Sequence, residues 1–188
     1  MDTKNKKLKR LKPNKGNLLI SEPNMLDQNF KRSVILLTDH NETESIGFIL
    51  NQPTKVGIND LIDEFPPFDA SVYIGGPVQK DTLHFIHSVG DLIDGSSHVK
   101  ENLYWSGNFQ TLMQLVAEKR IFSSQIRFFA GYSGWSAGQL ERELEEQSWI
   151  VTRGNSEIAL RQNSQKLWKN FIGQMDKEYA IWANMPQD

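Results

Sequence analysis

The 188-residue sequence contains no cysteine. Disulfides, thiolate catalysis and zinc–thiolate sites are thereby excluded. No apolar run approaches the roughly 18 residues a membrane helix needs. The first residues are charged but lack the apolar stretch of a secretory signal. Together these absences predict a cytoplasmic protein that does not contact membranes. No repeat or low-complexity linker appears after residue 15, so a single domain is expected over residues 16–188. Histidine is scarce, with only His40, His84, His87 and His98. Neither a P-loop nor a G-x-G-x-x-G dinucleotide fingerprint is present. Nothing in the composition calls for a cofactor.

Charge is unevenly spread. Residues 1–15 hold seven Lys/Arg and one Asp, a sum of +6. The whole chain carries -2, so the remainder carries -8. The first 15 residues read as a flexible basic tail. Nucleic acid would have to be met by that tail, because the acidic body repels phosphate.

Residues 18–20 (LLI), 33–37 (SVILL) and 45–50 (SIGFIL) read as strands, the second apolar enough to be buried on both faces. Their connections are too short for crossovers, so the three run antiparallel, with a hairpin turn at Asn41–Glu42. Pro53 stops the third strand. Asn59 is expected to cap a short helix running to about Phe65. Further strands are predicted at 71–74, 82–88, 102–105, 125–130 and 149–152. Asn108 should cap a helix whose apolar side is Phe109, Leu112, Met113 and Val116. Leu167, Trp168, Phe171, Ile172 and Met175 give a last amphipathic helix. Helices on a mixed, largely antiparallel sheet make an α/β or α+β layered domain.

Residues 131–140 (GYSGWSAGQL) concentrate the signals. A buried-type strand is expected to end at Ala130. Gly131, Gly134 and Gly138 free the backbone for positive φ or close approach. Ser136 with Gln139 forms a capping box, which predicts a helix from Ala137. Main-chain N–H groups at such a helix start make an anion site. Gly134–Gly138 also fits G-x-S-x-G, the strand-to-helix elbow of serine hydrolases, which makes a hydrolase or transferase the enzymatic alternative. Against it, every histidine precedes Ser136 and the serine is spoken for as a cap. Metal binding has little support. His84 and His87 point to opposite faces of a strand, which leaves only the Asp91, Asp94 and His98 loop.

The segments GNLLISEPNM (16–25), FKRSVILLTDH (30–40), IGFILNQP (46–53), GGPV (75–78), HFIH (84–87) and GYSGWSAGQLERELEEQSW (131–149) resemble the YqgE/AlgH family of bacterial proteins. The resemblance runs in order from about residue 16 to 175. It implies a bifurcated sheet curled into a pseudo-barrel with flanking helices. It brings no reaction with it. Members carry a transcriptional-regulator label through a link with alginate production. Where the family has an arginine–glycine pair before a phenylalanine, this chain has Thr82, Leu83 and His84 before Phe85.

The resulting expectation is a small-ligand or protein-binding regulatory module. Its candidate site gathers Asn51, Pro53, Gly75, Gly76, Pro77, His87 and the turn residues Gly131, Tyr132, Ser133, Gly134, Trp135, Ser136 and Gln139. Most of these lie at strand ends, where loops commonly carry sites. The expected partner is a small anionic ligand or another protein.

Overall fold

The structure is a computed structural model and describes residues 11–161, 163–175, 181 and 183–186. Most of the basic tail, and Trp182, lie outside the described residues. Ten strands form one mixed sheet: β1 (Asn17–Ser21), β2 (Val34–His40), β3 (Glu44–Ile49), β4 (Pro53–Gly57), β5 (Ser71–Ile74), β6 (Val78–His87), β7 (Ser97–Lys100), β8 (Leu103–Trp105), β9 (Ile126–Ser136) and β10 (Trp149–Arg153). Among the described residues five α-helices accompany them: α1 (Ile58–Leu61), α2 (Phe109–Ala117), α3 (Gln139–Glu145), α4 (Ser156–Leu160) and α5 (Leu167–Gly173).

The strands run β10-β1-β2-β3-β9-β6-β8-β7, with β4 and β5 off this path. As expected, β1, β2 and β3 are antiparallel. Asn41 makes the hairpin: its Oδ1 accepts from the N–H groups of Thr43 and Glu44. Among the described residues, the one parallel pair joins β5 to β9.

β9 is the spine. One of its edges pairs with β6. The other edge is divided: Phe128–Ala130 pair with β5, and Ser133–Ser136 pair with β3. That division is the bifurcation. The sheet does not close into a barrel, since β10 at one end and β7 at the other each pair with a single neighbour. The fork splays the sheet, and each part packs on its own helices instead of on the opposite end.

Alternation along the strands distributes three apolar clusters. Phe129 and Phe48 face the cluster under α4 and α5, with Leu160, Leu167, Trp168 and Ile172. Ile126 and Phe128 face the cluster under α1 and α2. Ile35, Leu37 and Trp135 face the cluster under α3, with Leu140 and Trp149.

Three local expectations are corrected. The helix near Asn59 spans only Ile58–Leu61 and follows Gly57. Asn59 instead holds the next loop, donating to the Phe65 carbonyl and accepting from Phe68 N–H. His98, taken with the polar loop, lies in a strand (Ser97–Lys100) paired with β8. Strand β9 continues through 131–136 instead of ending at Ala130, because β3 offers those residues a ladder partner.

Candidate functional site

The glycine-rich motifs meet at the fork. Gly75 N–H donates to the Ala130 carbonyl at 2.9 Å, and its own carbonyl accepts from Ile49 N–H at 2.9 Å and from Ser133 Oγ at 3.0 Å. A Cβ at Gly75 would lie 2.2 Å from the Gly131 carbonyl oxygen. One at Gly76 (φ 159°) would lie 2.2 Å from the Tyr132 oxygen. The glycines are therefore spacers between backbones that touch. Pro53 sits opposite Tyr73 at the start of β4, and Ile74 N–H donates to the Gln52 carbonyl. Residues 49–53, 73–77 and 130–133 are thus joined by main-chain contacts at the fork, where Ser133 is buried.

At the far end of the motif the predicted helix start is replaced by Gly138, an N-cap with φ 71°, and α3 begins at Gln139. Gln139 turns back, its Oε1 accepting from Ser136 N–H at 3.0 Å and Ser136 Oγ at 3.3 Å. Trp135 Nε1 and Trp149 Nε1 both donate to Glu143 Oε2 at 2.8 Å. The Ser136 amide and hydroxyl and both indoles of this corner are used internally, and Trp135 is buried as a core aromatic.

His87 is elsewhere. It pairs with Ile126, six residues down β9 from Tyr132, or about 20 Å at 3.3 Å per residue. Fully buried, it accepts from Val89 N–H at Nδ1 (3.3 Å) and donates from Nε2 to the Ser106 carbonyl (2.9 Å), with Ser96 Oγ at 3.1 Å. Burial pulls its pKa below the usual histidine value, and the bond to Ser106 partly restores it. His84 faces the opposite cluster, against Phe48 and Tyr132, and is likewise lowered by burial.

No metal-binding group of three or more such side chains exists among the described residues. Asp94 accepts from Thr111 Oγ1, and His98 Nε2 bonds the Glu101 carbonyl. A serine–histidine–glutamate row occurs at a place that no sequence motif marks. His40 Nδ1 lies 2.8 Å from Ser45 Oγ, and His40 Nε2 lies 3.9 Å from Glu141. Ser45 is 4% exposed, so a substrate has no path to its hydroxyl. The row ties the β2–β3 hairpin to α3.

The open concavity lies beside the fork. A cleft of about 250 Å³ is lined by Lys31, Arg32, Asn51, Gln52, Lys166 and Trp168, with Gln165, Lys169 and Ala183. A second cleft shares Lys169 and Ala183 with it. Neither is lined by a histidine or by residues 131–139. Asn51 and Gln52 shape one wall. Asn51 Oδ1 accepts from Val34 N–H at 2.9 Å and Nδ2 donates to the Arg32 carbonyl at 2.8 Å. Gln52 Nε2 reaches the Asn29 carbonyl and Ser33 Oγ. Arg32, at φ 51°, lays its guanidinium 5.3 Å from the Trp168 ring centroid and donates to the Met185 and Pro186 carbonyls. Trp168 is fixed in turn by Nε1 donating to the Ser21 carbonyl. Four cations line this cleft and no carboxylate does. Among the described residues none of the four has a carboxylate within 4.0 Å.

Asn51 is the one predicted site residue that reaches this cleft. The cationic residues went unmarked in the sequence because Lys31 and Lys166 are far apart in the chain. The signal available was the adjacent pair Lys31–Arg32 just before a buried strand.

The AlgH-like family model matches residues 18–180. The chain belongs to the AlgH-like family. The UPF0301 protein CT0663 of Chlorobaculum tepidum is 44% identical over 177 residues, 94% of each chain. A UPF0301 protein of Cytophaga hutchinsonii is 41% identical over 175 residues, 93% of this chain and 96% of that one. The solution structure of the AlgH protein of Pseudomonas aeruginosa superposes with a TM-score of 0.71 at 25% identity, covering 96% of this chain and all of that one. Protein DIP2367 of Corynebacterium diphtheriae shares the fold, with a TM-score of 0.78 at 23% identity over 95% of each chain. The fork motifs that carried the resemblance thus hold the fold of this AlgH-like chain together.

Proposed function

We propose that this AlgH-like protein is a cytoplasmic binding module, regulatory and not catalytic, whose basic cleft takes a small anionic ligand or an acidic segment of a protein partner. The observation that carries this reading is the row of four cations in one concavity, without carboxylate partners among the described residues, on a chain whose body is otherwise acidic. Uncompensated cations repel one another, and an anion between them relieves the repulsion. A role in transcription would then follow from ligand or partner binding. Direct contact with nucleic acid is assigned only to the basic tail, and none to membranes.

Thermal unfolding of the full chain with pyrophosphate, citrate or a neutral sugar, at low and high salt, tests the reading. Anions should raise Tm at low salt, less so at high salt, and the sugar should not. Lys166→Gln with Lys169→Gln should remove most of the rise. A Tm that no anion moves overturns the proposal.

A further inference from the structure

Behind the Asn51–Gln52 wall sits a fifth cation. Arg127 is 2% exposed, in the middle of the most apolar stretch of β9. Its side chain shares a face with Phe129, toward the cluster that also holds Leu50 and Trp168. One guanidinium nitrogen donates to the Leu50 carbonyl at 2.9 Å, and the plane lies 4.4 Å from the Tyr73 ring centroid. The other terminal nitrogen has no hydrogen-bond partner, and no carboxylate approaches within 4.0 Å among the described residues. A buried cation left without a counter-ion weakens a fold relative to an apolar side chain of similar size. Burial lowers the Arg127 pKa to about 10, opposed in part by Tyr73, which still leaves it charged at neutral pH.

Arg127 is linked to the cleft through the main chain, since the carbonyl it holds belongs to the residue before Asn51. Asn51 then passes the constraint on to the Arg32 carbonyl. Four positive charges thus line the concavity, and Arg127 adds a fifth, screened from water, on the carbonyl of the residue that precedes its Asn51 wall. Charges act over longer range where water is excluded. One carboxylate would leave most of this charge unmatched. A phosphate monoester carries about -1.5 to -2 at pH 7 with three acceptor oxygens. Lysine ammonium groups bind phosphate as point charges, without the planar fork a carboxylate favours. The volume of about 250 Å³ limits the organic part to a small group, below the usual range of about 300–1,000 Å³ for ligand pockets.

Resting on the anion-binding reading above, we propose that the cleft binds the dianionic phosphate of a small ester, with Arg127 as the buried positioning residue and counter-charge behind its wall.

The test uses the full chain, with phenyl phosphate and benzoate as probes that share a ring and differ in charge. Binding is followed at the NMR signals of the Trp168 indole and the Asn51 side-chain amide. Wild type should bind phenyl phosphate at least tenfold more tightly than benzoate. That preference should fall as pH drops through about 6, where the phosphate loses its second charge. Arg127→Met should weaken phenyl phosphate about tenfold and benzoate no more than about threefold, by the charge argument. Lys166→Gln with Lys169→Gln, at two exposed positions, gives the same comparison should the Met variant fail to fold. Equal affinity for the two probes in wild type overturns the dianion assignment while leaving an anion site. Unchanged phenyl phosphate affinity in Arg127→Met overturns the role of Arg127. Binding of neither probe removes the anion-binding reading itself. A single-stranded oligonucleotide without terminal phosphates that moves the same signals more tightly than phenyl phosphate overturns the small-ester assignment in favour of nucleic acid.

Discussion

Asn51 holds Arg32 by its main chain: the Asn51 amide donates to the Arg32 carbonyl at 2.8 Å, while its oxygen accepts from Val34 N–H at 2.9 Å. One side chain therefore bridges the two turns that frame the basic cleft, and it keeps Arg32 in the left-handed conformation at φ 51°.

Asn51→Ala should destabilise the protein by about 2–3 kcal/mol, because it orphans the N–H of fully buried Val34 and frees the Arg32 carbonyl. Urea unfolding measures the loss. Asn51→Asp keeps the acceptor and drops the donor, so it should fall between wild type and the alanine variant. An alanine variant as stable as wild type would show that water replaces both bonds.

Gly75→Ala and Gly76→Ala should each cost about 3 kcal/mol or more, since the added carbon meets main-chain oxygen at 2.2 Å and the fork must open to admit it. Gly173→Ala is the control. Its Cβ meets nothing within 4 Å, and helix α5 should gain up to about 1 kcal/mol. Thermal melts of the three variants separate close approach from a general intolerance of side chains at glycine positions.

Glu143 joins two indoles, and Glu143→Ala should leave both Trp135 and Trp149 without their acceptor. Hydrogen bonds to a charged group contribute about 1.5–3 kcal/mol. A loss in that range is expected, together with a change in tryptophan fluorescence in the native state. Glu143→Gln retains an acceptor oxygen and should recover part of both effects.

Acid should destabilise the fold through His87 and His84. Burial holds both below the ordinary value of 6.5 in the native protein. Above that value both states are neutral at these positions and nothing is gained or lost. As pH falls below 6.5 the unfolded chain takes up protons that the native protein refuses, so unfolding becomes easier. Each histidine contributes at most about 1.4 kcal/mol per pH unit in that window. Chemical unfolding at pH 7.5 and 5.0 should show the decline. His87→Gln, which can still donate to Ser106, should flatten it. An unaltered slope in that variant would place the effect on other groups.

Much of the fold was legible because β-periodicity is local. Strands β1, β2 and β3, the Asn41 hairpin and the Asn108 cap each announce themselves within a few residues. The fork was misread for a physical reason. Gly131, Gly134 and Gly138 carry the composition of a turn, yet Gly131 and Gly134 lie inside β9, and Gly131 serves close contact with Gly76 and Val78, more than 50 positions earlier. Composition reports that small residues are needed and is silent on the partner. Site residues divided along the same line. Asn51 stands beside a strand-ending proline and could be noticed, whereas Lys166 and Lys169 look like any solvated helix face until β2 and α5 are brought together. Arg127 was the missed warning: a guanidinium amid Ile126, Phe128 and Phe129 is costly to bury and had no local partner.

The shared spine also dictates when the molecule can be assembled during synthesis. β3, β5 and β6 all wait for β9, and β1 waits for β10 to cover its other edge. Between the last residue of β3, Ile49, and the last of β9, Ser136, a translating ribosome needs on the order of ten seconds. For that interval an apolar three-stranded hairpin array stands outside the exit tunnel with both edges open. Until β9 arrives, those open edges are where a chaperone that shields strand edges would act on the nascent chain.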